Sequence, residues 1–195
     1  MFIQTEDTPN PATLKFLPGK DVLGAGASPR EFERSEGAKG APLAEMLFMI
    51  PGVGRVFYGS DFISVTKTDE AKWPHIKPAV LGAIMDFYVA GGDVLSSDMA
   101  PAAATADIDT HEYEGETAEI VEQIKEIIEL RVRPAVAQDG GDIVFHHFNE
   151  DDGAVYLEMR GACAGCPSST LTLKSGIENL LKHYVPEVTR VEQAA

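Results

Sequence analysis

Two cysteines separated by two small residues carry the clearest chemical signal in this sequence. Cys163 and Cys166 are the only cysteines among 195 residues, so the chain cannot build the several disulfide bonds that hold small secreted domains together. A Cys-x-x-Cys pair can bring both sulfurs to one metal centre, or it can form a redox-active disulfide. The spacing therefore predicts metal or redox chemistry at these two residues.

The residues around the cysteines suit a charged sulfur atom. Four small residues leave room for a bulky inorganic group and let backbone N–H groups point at sulfur: Gly161, Ala162, Ala164 and Gly165. Ser168 or Ser169 is expected to cap the helix that follows. The positive end of that helix would favour the thiolate, which is the form that binds metal.

Three interpretations of the pair stay open on chemistry alone: a cluster or metal site, a thioredoxin-like redox pair, and inert cysteines. Thioredoxin-like sites usually lie early in a fold with an aromatic residue before the first cysteine, whereas Ala162 occupies that position here. Iron–sulfur clusters and structural zinc usually take four protein ligands, and this chain offers two sulfurs. The simplest way to complete the set is a twofold dimer whose two cysteine loops face each other and hold a cluster between them. A zinc-bridged dimer of the same kind ranks third, after the cluster and the redox pair.

The cysteine loop is predicted to lie between a strand and a helix. Apolar residues at helical spacing follow Thr117, which is expected to cap a helix that Pro134 ends or kinks. Val155, Leu157 and Met159 alternate along a strand and should share its core-facing side. The expected elements of this region are a helix from 117, strands at 142–148 and 155–160, a helix at 169–184 and a strand at 188–192.

The first half of the chain predicts a second small unit of strands and helices. A hairpin turns around residues 59–61 between two β-rich runs, and Gly91 ends a long helix that has Pro78 in its first turn. The expected elements are strands at 1–5 and 13–17, a helix at 42–49, hairpin strands at 53–58 and 62–67, and a helix at 76–89.

An acidic segment separates the two halves. Residues 93–116 hold seven acidic side chains and no Lys or Arg, which accounts for −7 of the formal net charge of −15. Low hydrophobicity and like charge predict an extended, flexible tether. The predicted fold is therefore α+β, with two small α/β-sandwich-type domains, 1–92 and 117–195, joined by a flexible acidic linker at 93–116.

The composition excludes several classes of function. A net charge of −15 opposes binding to nucleic acid and to anionic membranes, so the expected partners are proteins. No apolar run reaches the ~20 residues of a membrane-spanning helix, and the first residues lack the pattern of a secretory signal or a transit peptide. Complete nucleotide-binding and nucleophile-elbow motifs are absent. A cytoplasmic protein that is not an enzyme is therefore expected.

Two further motifs have plain structural interpretations. His146 and His147 are adjacent on a predicted strand and should point to opposite faces, which opposes a shared ligand role. The segment DGGD at 139–142 is expected to end a helix through positive backbone angles, with a place beside the cysteine loop as the alternative.

Several separated segments resemble one known family. The second half contains VRPAV at 132–136, DGGDI at 139–143, GACAGCPSS at 161–169 and TLKSGIE at 172–178. They closely resemble the C-terminal domain of NifU-like proteins, which assemble and carry iron–sulfur clusters. The first half contains TPNPATLKF at 8–16, PLAEMLF at 42–48 and GSDFISVTK at 59–67. These are similar to the N-terminal domain of the Nfu subgroup, which includes mitochondrial members.

The resemblance implies a specific role. It implies a [4Fe–4S] cluster bridged between two subunits through Cys163 and Cys166, and a scaffold and carrier that transfers the cluster to apo client proteins such as lipoate-making and respiratory enzymes. Upstream cluster-assembly proteins would be further partners, and the N-terminal domain would recognise them or the clients. The implied location is the bacterial cytoplasm, or the mitochondrial matrix if the chain is a processed form.

Overall fold

The protein is built from two compact units, each with its own sheet and core. The computed structural model describes residues 2–33, 35–96, 113–164 and 167–194, with the backbone alone for 167–169. The units are Met1–Thr105 and Ala106–Ala195, and helices pack on a sheet in both. The predicted α+β class with two small domains is confirmed. Most of the predicted linker, 97–112, lies outside the described residues, so its flexibility stays a prediction.

The N-terminal unit has an antiparallel sheet covered by two helices. Its described elements are β1 (Gln4–Asp7), β2 (Thr13–Leu17), β3 (Arg30–Phe32), α1 (Pro42–Phe48), β4 (Val53–Tyr58), β5 (Ile63–Lys67) and α2 (Trp73–Val89). The strand order is β1-β2-β5-β4-β3. Alternate strand residues and helix residues at helical spacing form the core, which includes Phe16, Tyr58, Ile63, Val80 and Ile84 at 0% exposure. This burial is what an amphipathic pattern requires.

Three predictions for this unit need correction. The first strand lies at Gln4–Asp7 instead of 1–5, and the unpredicted β3 completes the sheet edge by pairing with β4. Helix α2 begins at Trp73, so Pro78 lies inside the helix. Pro74 occupies the first turn instead, where a missing N–H costs nothing.

The C-terminal unit has a three-stranded sheet with helices against it. Its described elements are α3 (Gly115–Ile127), a π-helical turn (Ile128–Val132), α4 (Arg133–Gln138), β6 (Gly141–Asn149), β7 (Ala154–Gly161), α5 (Pro167–Tyr184) and β8 (Arg190–Gln193). Strand β7 is central, antiparallel to β6 and parallel to β8. Helix α5 therefore serves as the crossover between two parallel strands. Val155, Leu157 and Met159 are buried together, as their alternation predicted.

The start and the middle of the first helix in this unit differ from prediction. Helix α3 begins at Gly115 after Glu114, and the Thr117 hydroxyl donates to Glu150 Oε2 at 2.8 Å instead of capping the helix. Pro134 does not end the helical path. The chain widens into the π-helical turn first, and Pro134 then lies in the first turn of α4, where no N–H is required.

The length and the hydropathy of the described helices bear on whether any of them meets what a bilayer requires. None of them combines the length and the apolar character that crossing a membrane requires.

Candidate functional site

The cysteine loop lies where the sequence placed it, between a strand and a helix. Strand β7 ends at Gly161 and helix α5 begins at Pro167. Gly161 has φ +64°, which a side chain would disfavour, and its carbonyl accepts the Ala164 N–H at 3.2 Å. The turn therefore closes on itself immediately after the strand.

Cys163 is a buried residue within this turn. It is 6% exposed and belongs to the core cluster of the C-terminal unit. The Thr170 hydroxyl, from the first turns of α5, donates to the Cys163 carbonyl at 3.1 Å. Cys166 and Gly165 lie outside the described residues, so the shared ligand role of the two sulfurs stays a prediction.

The expected helix cap also needs correction. Helix α5 begins at Pro167, so Ser168 and Ser169 lie in its first turn instead of before it. Proline is well suited to that first position because its missing N–H would be unpaired there. The positive end of the α5 dipole still adjoins the cysteine loop, as expected.

Gly141 forms the surface on which the Cys163 sulfur lies. A Cβ atom placed on Gly141 would be 2.6 Å from Cys163 Sγ and 2.7 Å from the Arg160 carbonyl oxygen. The preceding Gly140 has φ +81°, and its carbonyl accepts the Ala162 N–H at 3.2 Å. The segment at 139–142 thus makes the expected turn and also borders the cysteine loop, so both interpretations hold together.

A buried ion pair continues from this glycine. Asp142 is 4% exposed and accepts from Arg133 Nε at 2.8 Å and from Arg133 Nη2 at 3.0 Å. Arg133 also contacts Glu129 one helical turn earlier. Burial acts to lower the pKa of Arg133, but the hydrogen bonds to Asp142 and Glu129 raise that pKa above its ordinary value. Sequence reasoning missed this pair, for which the adjacency of Asp142 to the glycine turn was the available signal.

The two adjacent histidines do not behave as predicted. A β-bulge shifts the register between Phe145 and His147. The two rings therefore do not point to opposite faces, and His146 Nδ1 lies 2.8 Å from His147 Nδ1. His147 also stacks on Tyr156 with ring centroids 4.1 Å apart. At about 3.3 Å per strand residue, His146 is roughly 16 Å along β6 from Gly141, so this pair is not part of the cysteine site.

The described residues offer no larger ligand set. Within 2–33, 35–96, 113–164 and 167–194, no three His, Cys, Asp or Glu side chains lie close enough together to hold a metal ion. What this part of the site provides is one sulfur on a close-packed backbone surface, beside a helix N-terminus. Such a site can bind a positively charged inorganic centre through the thiolate.

Fold and site together define a two-unit α+β protein with a cysteine loop between a central strand and a helix. The family described as "Scaffold protein Nfu/NifU N terminal" matches residues 3–91, and the family "NifU-like domain" matches residues 124–192. The chain belongs to the Nfu/NifU family, and the resemblance seen in the sequence is confirmed.

Two curated relatives illustrate this membership. NifU-like protein 5, mitochondrial, of Arabidopsis thaliana is 51% identical over 99% of this chain and 68% of its own length. NFU1 iron-sulfur cluster scaffold homolog, mitochondrial, of Drosophila ananassae is 48% identical over 99% of this chain and 64% of its own. The chain thus spans about two thirds of the length of these relatives.

Solved structures also match this chain, among them the following one. The NMR structure of a NifU-like protein from Saccharomyces cerevisiae is 28% identical, with a TM-score of 0.46, and covers 50% of this chain and 86% of its own.

Proposed function

We propose that this protein is an iron–sulfur cluster scaffold and carrier. In this proposal two copies hold one [4Fe–4S] cluster through Cys163 and Cys166 of each, and transfer it to apo client proteins. The cluster is cargo, and the protein is not an enzyme. The name of the Drosophila relative, an iron-sulfur cluster scaffold homolog, supports the general role.

The observation that carries the proposal is the contact between Cys163 and Gly141. The sulfur lies so close to the Gly141 backbone that no side chain could be accommodated there. A sulfur held against backbone beside the N-terminus of a helix suits a thiolate ligand, because the positive end of the helix dipole stabilises its charge.

The dimer follows from the number of sulfurs. An iron–sulfur cluster generally takes four cysteine thiolates, and this chain has two cysteines. A twofold axis through the cluster would supply the same pair twice, because an isologous contact repeats one surface patch. Leu171, 64% exposed in the early part of α5, offers an apolar side chain for that contact.

Partners and location follow from the same role. The partners would be apo iron–sulfur proteins and upstream cluster-assembly proteins, and the net charge of −15 disfavours nucleic acid and anionic membrane surfaces. Of the two expected locations, the bacterial cytoplasm and the mitochondrial matrix, the names of the relatives favour the matrix.

Anaerobic reconstitution tests the proposal. The full chain is incubated with ferric iron, sulfide and a thiol reductant, which reduces part of the iron, and is then desalted. Iron and sulfide are counted per chain, the cluster type is read by Mössbauer spectroscopy, and mass is measured by sedimentation. A four-iron cluster shared by two chains predicts about two irons per chain and dimers in the loaded form.

Point variants locate the ligands. Cys163→Ser and Cys166→Ser should each abolish cluster loading, whereas Ala164→Ser, which adds a hydroxyl between the two sulfurs, should still load. A loaded monomer with its full iron complement would contradict the shared site. A stable zinc dimer that excludes iron would support the zinc alternative, and catalytic disulfide reduction by a chain that never loads would support the redox interpretation.

A further inference from the structure

A single guanidinium holds the first residues of β6 in place. Arg133 Nε and Nη2 donate to the two oxygens of Asp142 at 2.8 and 3.0 Å. This is the bidentate arrangement that fixes both distance and orientation. The Asp142 side chain is 5% exposed. Removal of the guanidinium would therefore leave a buried carboxylate without its counter-charge, which is strongly destabilising.

Asp142 is connected to the cysteine loop through backbone contacts. It follows Gly141, whose backbone lies against Cys163 Sγ. In the sheet, Asp142 pairs with Arg160 and Gly141 pairs with Gly161, the residue at which the cysteine loop begins. A displacement of Asp142 would therefore move the surface under the sulfur and the strand end that leads into the loop.

Arg133 is connected in the other direction to the irregular part of the helical segment. It is the first residue of α4, directly after the π-helical turn Ile128–Val132, and it also hydrogen bonds Glu129 within that turn at 2.5 Å. Turns of this kind are frequent at functional sites because they redirect side chains that a regular helix would aim elsewhere. Here the widened turn directly precedes Arg133, whose side chain reaches Asp142.

We infer that Arg133 is a positioning residue for the cysteine loop. Through Asp142 it keeps Gly141 beneath Cys163 Sγ, and so it sets how firmly the loop retains its cargo. The inference rests on the proposed function, because retention has meaning only if Cys163 binds a cluster. Replacing a residue that orients a metal ligand without contacting the metal typically lowers metal affinity by about 10- to 100-fold.

If the ion pair were purely structural, breaking it would have a different effect. The stability of the unit would fall, but variant protein that is folded and loaded would release its cluster at the wild-type rate. A positioning role instead predicts faster release from protein that is still folded. The informative measurement is therefore release from the loaded chain, alongside the circular dichroism and the melting of the apo chain.

The experiment compares three variants of the full chain after anaerobic loading. Asp142→Asn keeps the shape of the side chain but removes its charge. Arg133→Lys keeps the positive charge but cannot form both hydrogen bonds. Asp152→Asn is the control, because it breaks another Arg–Asp pair, Arg190 Nη2 to Asp152 Oδ2 at 2.5 Å, at the opposite end of β7. Release is followed by the decay of cluster absorbance in excess iron chelator.

We expect Asp142→Asn to accelerate release by about 10- to 100-fold, Arg133→Lys to accelerate it less, and Asp152→Asn to leave it at the wild-type value. Arg133→Lys decides the matter if Asp142→Asn does not fold. Folded, loaded Arg133→Lys that releases its cluster as slowly as the wild type would overturn the inference. Failure of the wild type to load would instead count against the proposed function.

Discussion

Cys163 Sγ lies against Gly141 so closely that a Cβ atom on that glycine would be 2.6 Å away. Gly141 begins β6 and Cys163 follows the end of β7, so the two residues lie at the same end of this strand pair, and only the folded sheet brings them together. The first prediction follows from this contact.

Gly141→Ala should destabilise the C-terminal unit. The added methyl group would overlap Cys163 Sγ and, at 2.7 Å, the Arg160 carbonyl oxygen, which is backbone and cannot swing away. Overpacking of this kind costs roughly 1–3 kcal/mol, and cluster loading should fall because the sulfur is displaced. Chemical denaturation followed by circular dichroism gives the first effect, and iron counts after reconstitution give the second.

Gly176→Ala is the matched control for that substitution. Gly176 lies in α5, with nothing within 4 Å of the position that an alanine methyl group would occupy and no positive φ. Replacing glycine by alanine inside a helix stabilises by about 0.5–1 kcal/mol. If both alanine variants changed stability in the same direction, steric overlap at Gly141 would not be the cause of the effect.

Two tyrosine-to-phenylalanine substitutions give a second prediction. One should raise the stability of the N-terminal unit, and the other should lower the stability of the C-terminal unit. The Tyr58 hydroxyl is buried and, within the described part of the chain, has no hydrogen bond of good geometry, although the Ala44 backbone is near enough to affect its pKa. Its ring packs edge-on against Phe32. Tyr58→Phe keeps that packing and removes an unsatisfied group, so the N-terminal unit should gain about 1 kcal/mol.

Tyr113→Phe should have the reverse effect in the C-terminal unit. The Tyr113 hydroxyl accepts the Phe148 N–H at 2.9 Å and donates to the Phe148 carbonyl at 3.3 Å. The substitution removes both hydrogen bonds to Phe148 and should cost about 1 kcal/mol or more. Fluorescence of Trp73, the single tryptophan, reports unfolding of the N-terminal unit, and amide exchange at Phe148 reports the other. Equal losses in both variants would contradict the assignment of Tyr58 as unsatisfied.

Much of the fold could be predicted because local signals and the tertiary structure agree. Strands β2 and β4 have the predicted bounds, since alternation and turn residues define both ends. The contacts that make the site are non-local. Arg133 meets Asp142 only after a π-helical turn that no residue type announces, and His146 meets His147 only because a bulge adds a residue to β6.

Two errors show where local rules were applied at the wrong place. The sequence pattern places Pro78 in the first turn of α2, which is wrong, because Pro74 fills that position and Pro78 lies within the helix. Thr117 has a good capping side chain, yet its hydroxyl donates to Glu150 across the unit. In both cases a tertiary contact or an earlier helix start decided the boundary, which the sequence pattern could not reveal.

A third prediction concerns alkaline pH. Burial, followed by the charge of Asp21, raises the pKa of Tyr88 from 10.0 to about 12. The folded state therefore binds the Tyr88 proton more tightly than the unfolded state does. The resulting stabilisation is complete below pH 10.0 and is lost as the pH rises towards about 12.

Tyr88→Phe should remove this dependence. The stability of the wild type relative to the variant should fall as the pH rises through that window, measured by denaturation with Trp73 fluorescence. Burial raises the pKa of Tyr58 as well, so the N-terminal unit of the variant will keep some alkaline sensitivity. A difference between the two proteins that is constant with pH would refute the assignment to Tyr88.

The last prediction concerns acid pH and the edge of the C-terminal sheet. Glu178 in α5 accepts from Lys182 Nζ at 2.6 Å and from the Val191 N–H of β8 at 3.1 Å. These two hydrogen bonds, led by that from Lys182, lower the pKa of Glu178 from 4.5. The folded state thus binds this proton less tightly than the unfolded state, so the stabilisation is present above pH 4.5 and is lost as the pH falls through the lowered pKa.

Glu178→Gln should therefore lower the stability of the C-terminal unit at neutral pH and make less difference below pH 4.5. The effect should be modest because the bond to Lys182 is partly exposed to solvent. Amide exchange at Val191 measures it directly, since that N–H loses a charged acceptor in the variant. Glu119→Gln, at an exposed position of α3, reports the effect of removing a surface carboxylate in general. If the two glutamine variants protected Val191 equally at neutral pH, Glu178 would not anchor β8.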